Sequence, residues 1–250
     1  MRNLIYSFVW LFMSYTVQAQ EIQKETRNLG DFNQLSIAGS IDATLQKGDK
    51  NTLIIEAEGI GLERITADIE GGRLSLDILS KNEYKNKKFD LEEGKKMKKG
   101  SWKSTRYNVK VYLTYKSIES LSCTGASSVV ATSTIKADNF DLSVSGASDF
   151  TGTIETNRLE TRANGASDVK VKGKATYQKI VISGASDFKA YELICEEAEV
   201  KASGSSDVNM HVTKSLKARA SGASDINYMG NPETKDTDAS GASDIRSKKI

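Results

Sequence analysis

The sequence predicts an all-β chain wound as a parallel β-helix, or solenoid, of about seven or more coils. Three observations predict it: a Ser-Gly-Ala-Ser-Asp motif that returns every 18 to 21 residues, apolar residues alternating with polar ones around each copy, and a composition with 19 Gly, one Pro and 7% aromatics. Such a composition suits short strands joined by tight turns.

The repeat comes first, because overlooking one misassigns a whole fold. Its copies are CTGASSV (123–129), VSGASDF (144–150), ANGASDV (163–169), ISGASDF (182–188), ASGSSDV (202–208) and ASGASDI twice (220–226 and 239–245). Their glycines, Gly125, Gly146, Gly165, Gly184, Gly204, Gly222 and Gly241, are 21, 19, 19, 20, 18 and 19 residues apart. Apolar or small residues stand four and two positions before each Gly, as in Leu142 with Val144 or Ile180 with Ile182, and resume four positions after it, as in Phe150, Val169 and Phe188. Period-2 alternation marks a strand with one buried face, so each unit reads as strand, corner, strand. A unit of this size is one coil of a β-helix, and seven coils rising about 4.8 Å each make a rod about 30 Å long.

Each position of the motif has a structural use. The Gly supplies positive φ or close approach between coils, and the small residue after it stacks at the corner. Two Ser columns, one before the Gly and one two residues after it, can bond backbone groups of the turn. The Asp column (Asp149, Asp168, Asp187, Asp207, Asp225 and Asp244) places like charges about 5 Å apart, which repel by roughly 1 kcal/mol in water and more at a protein surface. Acceptance of turn N–H bonds, full solvation, or a row of bound cations would offset this. Turn capping is the expected role; the nine-residue calcium-binding repeat has another arrangement of Gly and Asp, and no metal site is expected. Cys123 and Cys195 fall in coils about 14 to 19 Å apart, beyond the roughly 7 Å between Cα atoms that a disulfide tolerates, and are expected to be free and buried.

Before the repeats, alternating segments at 35–37, 41–45, 53–58 and 74–79 continue the strand pattern, and Gly39-Ser40-Ile41-Asp42 resembles an early copy of the motif. This half is expected to begin the solenoid and cap its first coil. The expected organisation is a signal peptide at 1–19, an N-terminal β region at 20–118 with a Lys-rich insertion at 81–106, and repeats at 119–250, with 20–250 one continuous domain. The insertion holds nine Lys, one Arg and four acids. Its Lys95, Lys96, Lys98, Lys99 and Trp102 are the candidate contacts for anionic glycan or lipid head groups, against the plainer reading of a solvated loop.

A basic start at Arg2, an apolar stretch from Leu4 to Val17 and the short residues of Val17-Gln18-Ala19 have the form of an export signal, with the mature chain starting near Gln20. The expected location is periplasm, outer surface or extracellular space. No later segment has the 18 apolar residues of a membrane-spanning helix. A net charge of +2 gives no case for nucleic acid. His211, the single histidine, has no paired context, and neither a Cys/His ligand set, a nucleophile elbow nor a phosphate loop is present; no catalytic residue and no cofactor is expected. The rival is a lyase-like β-helix enzyme acting on polysaccharide, with Asp and basic residues in a groove. Strict periodicity of the Asp argues against it, since a catalytic cluster needs a separate environment for each group.

With these repeats and the ending Tyr228-Met229-Gly230-Asn231-Pro232 before a last Ser-Gly-Ala-Ser-Asp, the chain resembles the auto-transporter adhesin "head GIN domain" family over nearly all of residues 31–247. The resemblance implies an exported, Bacteroidetes-type β-solenoid that is non-enzymatic and structural or adhesive, binding a glycan or a host- or cell-surface component. It supplies no catalytic residues, and the Lys-rich insertion departs from the family pattern.

Overall fold

Each motif copy folds as strand, corner, strand, and successive copies stack in parallel into a β-solenoid of about seven turns in the computed structural model. Residues 22–80, 82–84 and 107–248 are described; the expected signal peptide lies outside them. Among the described residues, seventeen strands form one hydrogen-bonded sheet. The first nine are β1 (Gln23–Asn28), β2 (Gln34–Ile37), β3 (Asp42–Lys47), β4 (Thr52–Glu58), β5 (Ile65–Glu70), β6 (Arg73–Ile78), β7 (Asn108–Tyr115), β8 (Ser120–Cys123) and β9 (Ser128–Ala131). The repeats supply β10 (Ile135–Gly146), β11 (Asp149–Gly165), β12 (Asp168–Ile182), β13 (Asp187–Ala202), β14 (Asp207–Ala220), β15 (Asp225–Met229), β16 (Thr234–Ala239) and β17 (Asp244–Ser247).

Strands β11 to β14 run from one glycine corner to the next. Each passes along a post-turn face, bends, and returns along a pre-turn face. The bends fall where the parallel ladder skips Asn157, Thr176 and Glu196. Elsewhere identical motif positions pair, Asp149 with Asp168, Asp168 with Asp187 and Asp187 with Asp207. A slip of one residue would turn the apolar columns outward, which is what locks this register.

Strands of the N-terminal half pair with the repeat strands, but out of sequence order. β2 lies between β6 and β8, and β3 between β7 and β9, all parallel. The first coil in the chain is therefore second in space. Three antiparallel partners then close the end: β4 on β7, β1 on β4, and β5 on β6. Strand β1 carries Glu25 and Arg27 on its core side, joined at 2.8 Å, and Arg27 also donates to the Ile65 carbonyl at 3.1 Å. A polar lid of this kind shields the last apolar layer and discourages edge pairing. At the opposite end every residue of β16 (TKDTDA) is exposed, so charged side chains line that edge.

The core is a stack of apolar columns. Phe150, Val169, Phe188 and Val208 succeed one another along the axis, each at most 1% exposed, so large and small side chains alternate and interdigitate. Cys123 sits between Ile37 and Val144, and Cys195 between Ala175 and Val212. Both thiols are free and buried, and burial pushes each up to about 12. They are core residues, inert at neutral pH.

Candidate binding faces

The corner is built by backbone first. Gly39, Gly125, Gly146 and every later motif glycine have positive φ, between 77° and 93°. Each glycine carbonyl accepts the N–H of the residue that follows the next glycine in the stack, as in Ala147 to Gly125 at 2.8 Å and Ala185 to Gly165 at 2.7 Å. From Gly125 to Gly222, the Ser two residues after each motif Gly turns inward and is buried: Ser127, Ser148, Ser167, Ser186, Ser206 and Ser224 are at most 2% exposed. Their hydroxyls join neighbouring coils. Ser186 Oγ accepts the Ser167 N–H at 3.2 Å and donates to the Gly165 carbonyl at 3.3 Å.

Turn capping therefore falls to serine, because the serine faces the dry interior, where an unmade bond costs most. The Asp carboxylates stand outside the corner. The backbone N–H groups beside them are taken by the ladder, for example Asp149 to the Ser127 carbonyl at 2.9 Å. Among the described residues one turn N–H, that of Asp168, reaches a column carboxylate, Asp149 Oδ1, at 3.4 Å. Repulsion along the row is offset by solvent and by lysine: Lys189 Nζ lies 3.0 Å from Asp187 and 3.2 Å from Asp168, and Arg246 pairs with Asp244. Asp207, Asp225 and their neighbours remain surface groups spaced by the coil rise, without convergence on one point. No group of three metal-ligating side chains occurs among the described residues.

The pre-turn face is charged and internally neutralised. Glu160 is contacted by Arg162, by Lys179 at 3.1 Å and by Arg158 at 3.9 Å; Arg158 also lies over the Tyr177 ring, 4.5 Å from its centre. Partial burial works to raise the Glu160 carboxyl, but the Lys179 hydrogen bond and the three positive charges hold it below the ordinary 4.5. A lowered carboxylate adds stability that is present above its unfolded value and lost as pH falls through its folded value. Glu160→Gln is expected to lower the melting temperature by a few degrees near neutrality, with the gap to the wild type narrowing as pH falls below the ordinary 4.5. Thermal melts of both proteins across that range measure it.

The post-turn face changes character along the axis. Over the repeats its outward rows carry Asp149, Asp168 and Asp187 beside Thr151, Lys170 and Lys189. Tyr191 and Glu192 form a bulge there, with the Lys248 ammonium 4.8 Å from the Tyr191 ring. His211, opposite Met229, is half-buried on β14, and its carbonyl accepts the Cys195 thiol at 3.2 Å. Toward the N-terminal end the register aligns Thr26, Ile54, Tyr112, Thr44, Val130 and Thr151 across six strands, and no charge interrupts the row. Its members are scattered over the first 151 residues and two of its pairings, β1 with β4 and β4 with β7, are antiparallel, so no repeat links them in the sequence.

Of the residues singled out from sequence, the six Asp form the row described above. Lys95, Lys96, Lys98, Lys99 and Trp102 lie outside the described residues. In the chain they fall between β6 and β7.

The sequence matches the family model described as "Putative auto-transporter adhesin, head GIN domain" over residues 31–232. The chain belongs to this family. Solved structures similar to this head GIN domain protein include a "putative adhesin" from Bacteroides fragilis, at 19% identity and a TM-score of 0.75, covering 91% of this chain and 97% of that one. A "putative adhesin" from Parabacteroides merdae has 18% identity and a TM-score of 0.68, with coverages of 92% and 97%. A "putative lipid binding protein" from Parabacteroides distasonis has 16% identity and a TM-score of 0.61, with coverages of 91% and 97%. At such identities the likeness is one of fold. No curated protein matches the chain.

Proposed function

We propose that this head GIN domain protein is an exported, non-enzymatic component of the cell envelope that binds a glycan or a host- or cell-surface component through the outward faces of its solenoid. One observation carries the reading. The continuous ladder holds outward side chains in fixed rows on two faces, so a ligand meets a preorganised surface and little conformational freedom is lost on binding. The adhesin description of the family and of its structural neighbours points the same way. The periodic, lysine-bridged Asp row also lacks the separate environments that an acid–base pair requires. No helix among the described residues is long and apolar enough to cross a membrane.

Residues 20–250 are expected to bind at least one member of a panel of glycans and host-matrix proteins. Deleting residues 85–100 is expected to leave the melting temperature within about 2 °C and to remove only the part of binding that salt suppresses, since lysine charges contribute through attraction that salt screens. Absence of binding to every probe, together with cleavage of a polyuronate that Asp187→Ala abolishes, would replace this reading with the enzymatic one.

A further inference from the structure

Building on that reading, we propose that the row Thr26, Ile54, Tyr112, Thr44, Val130 and Thr151 is the docking strip for an extended, charge-neutral polysaccharide. The row crosses β1, β4, β7, β3, β9 and β11 in unbroken register. A second outward row, Asn28, Thr52, Thr114 and Gln46, runs beside it on the first four of these strands. Neither contains a charge, in a chain of which 27% of residues are charged. The row on the other side, Lys24, Glu56, Lys110, Asp42, Ser128 and Asp149, alternates in sign until Ser128, and Lys170 ends the strip toward the repeats. The strip is thus a neutral lane with charged borders.

Its size and chemistry select the occupant. Five inter-strand steps make it about 24 Å long, and the two rows stand about 7 Å apart. That footprint is a few hundred Å², well below the roughly 800 Å² per partner of a stable protein interface. A second copy of the chain or another folded protein is therefore a poor match, whereas a single extended sugar chain fits the lane. With no cation in the lane, nothing there favours a uronate, a sulfate, a phosphate head group or a nucleic acid. Sugar rings offer hydroxyls at their rims and C–H groups on their faces. Thr hydroxyls and Asn and Gln amides both donate and accept, matching the rims. Tyr112 and Val130, 40% and 42% exposed, supply apolar area for the ring faces. The Tyr112 hydroxyl donates to Glu56 at 3.4 Å, which tethers its ring across the border of the lane. Backbone partners on both sides fix the inner strands, so the lane is formed before any ligand arrives.

The test immobilises neutral hexasaccharides (cello-, xylo-, manno- and galacto- series) beside polygalacturonate and dextran sulfate, and measures binding of residues 20–250. Wild type is expected to bind at least one neutral probe, with affinity changing less than about twofold between low and high salt. Thr44→Lys and Val130→Lys are each expected to weaken it tenfold or more, while Lys217→Gln on the pre-turn face leaves it within about twofold. Melting curves verify folding, and Thr151→Lys at the exposed end of the row replaces either variant that fails to fold. Neutral-glycan binding indifferent to the lysine variants would overturn the strip, as would binding confined to the polyanions and abolished by salt; either leaves the envelope-binding reading standing. Failure to bind any glycan, matrix protein or cell surface would remove that reading and the strip with it.

Discussion

Gly184→Ala is expected to destabilise the solenoid by about 3–5 kcal/mol, enough to unfold its middle coils, because backbone strain and overpacking each cost about 1–3 kcal/mol. Gly184 has a φ of +84°, and a Cβ there would lie 2.4 Å from the Gly165 carbonyl oxygen and 2.9 Å from its nitrogen. Neither atom can give way. The Gly165 carbonyl accepts the Ala185 N–H at 2.7 Å, so retreat breaks the bond that joins two coils. In a repeat array each coil is held by its neighbours, and a central defect separates the two halves. Gly71→Ala is the control: φ is +57° with nothing within 4 Å of the added carbon, leaving only the left-handed penalty of roughly 1–2 kcal/mol. Denaturant titration of both variants measures the difference. A Gly184→Ala protein within about 1 kcal/mol of wild type would show that the corner is not the close contact described.

The opposite sign is expected for Gln178→Leu, a gain of about 2 kcal/mol and a rise of some 4–8 °C in melting temperature. Gln178 is 0% exposed, and neither its amide nitrogen nor its amide oxygen has a hydrogen-bond partner. It stacks between Leu159 and Ala198, in a column that also contains Phe140 and Leu216. The nearby pre-turn residue Thr161 is likewise fully buried with an unpartnered hydroxyl. A buried amide without partners forfeits its hydration, and an apolar side chain of similar volume removes that cost. A lower melting temperature for Gln178→Leu would mean that an ordered interior water satisfies the amide, and that this water belongs to the fold.

Much of the architecture is legible in the chain itself. The glycine spacing predicts the coil, Gly39 to Asp42 identify a copy outside the main array, and the coil register separates Cys123 from Cys195. These follow because a solenoid makes neighbours in space from neighbours in sequence, so one period carries both the fold and its corner chemistry. The division of labour at the corner is less legible. Ser and Asp both suit turns, and only the direction of each side chain, inward for Ser186 and outward for Asp187, assigns the capping bonds to one and the ion pairs to the other.

The neutral strip was not legible at all. It depends on β2 and β3 entering between later strands and on β4 and β1 folding back antiparallel, pairings with no periodic signal. Local alternation suffices to specify strands, corners and a stacked apolar interior, because those contacts repeat at fixed separation. Which outward residues share a face at the capped end rests on long-range strand order, and that order emerges only when the whole core closes.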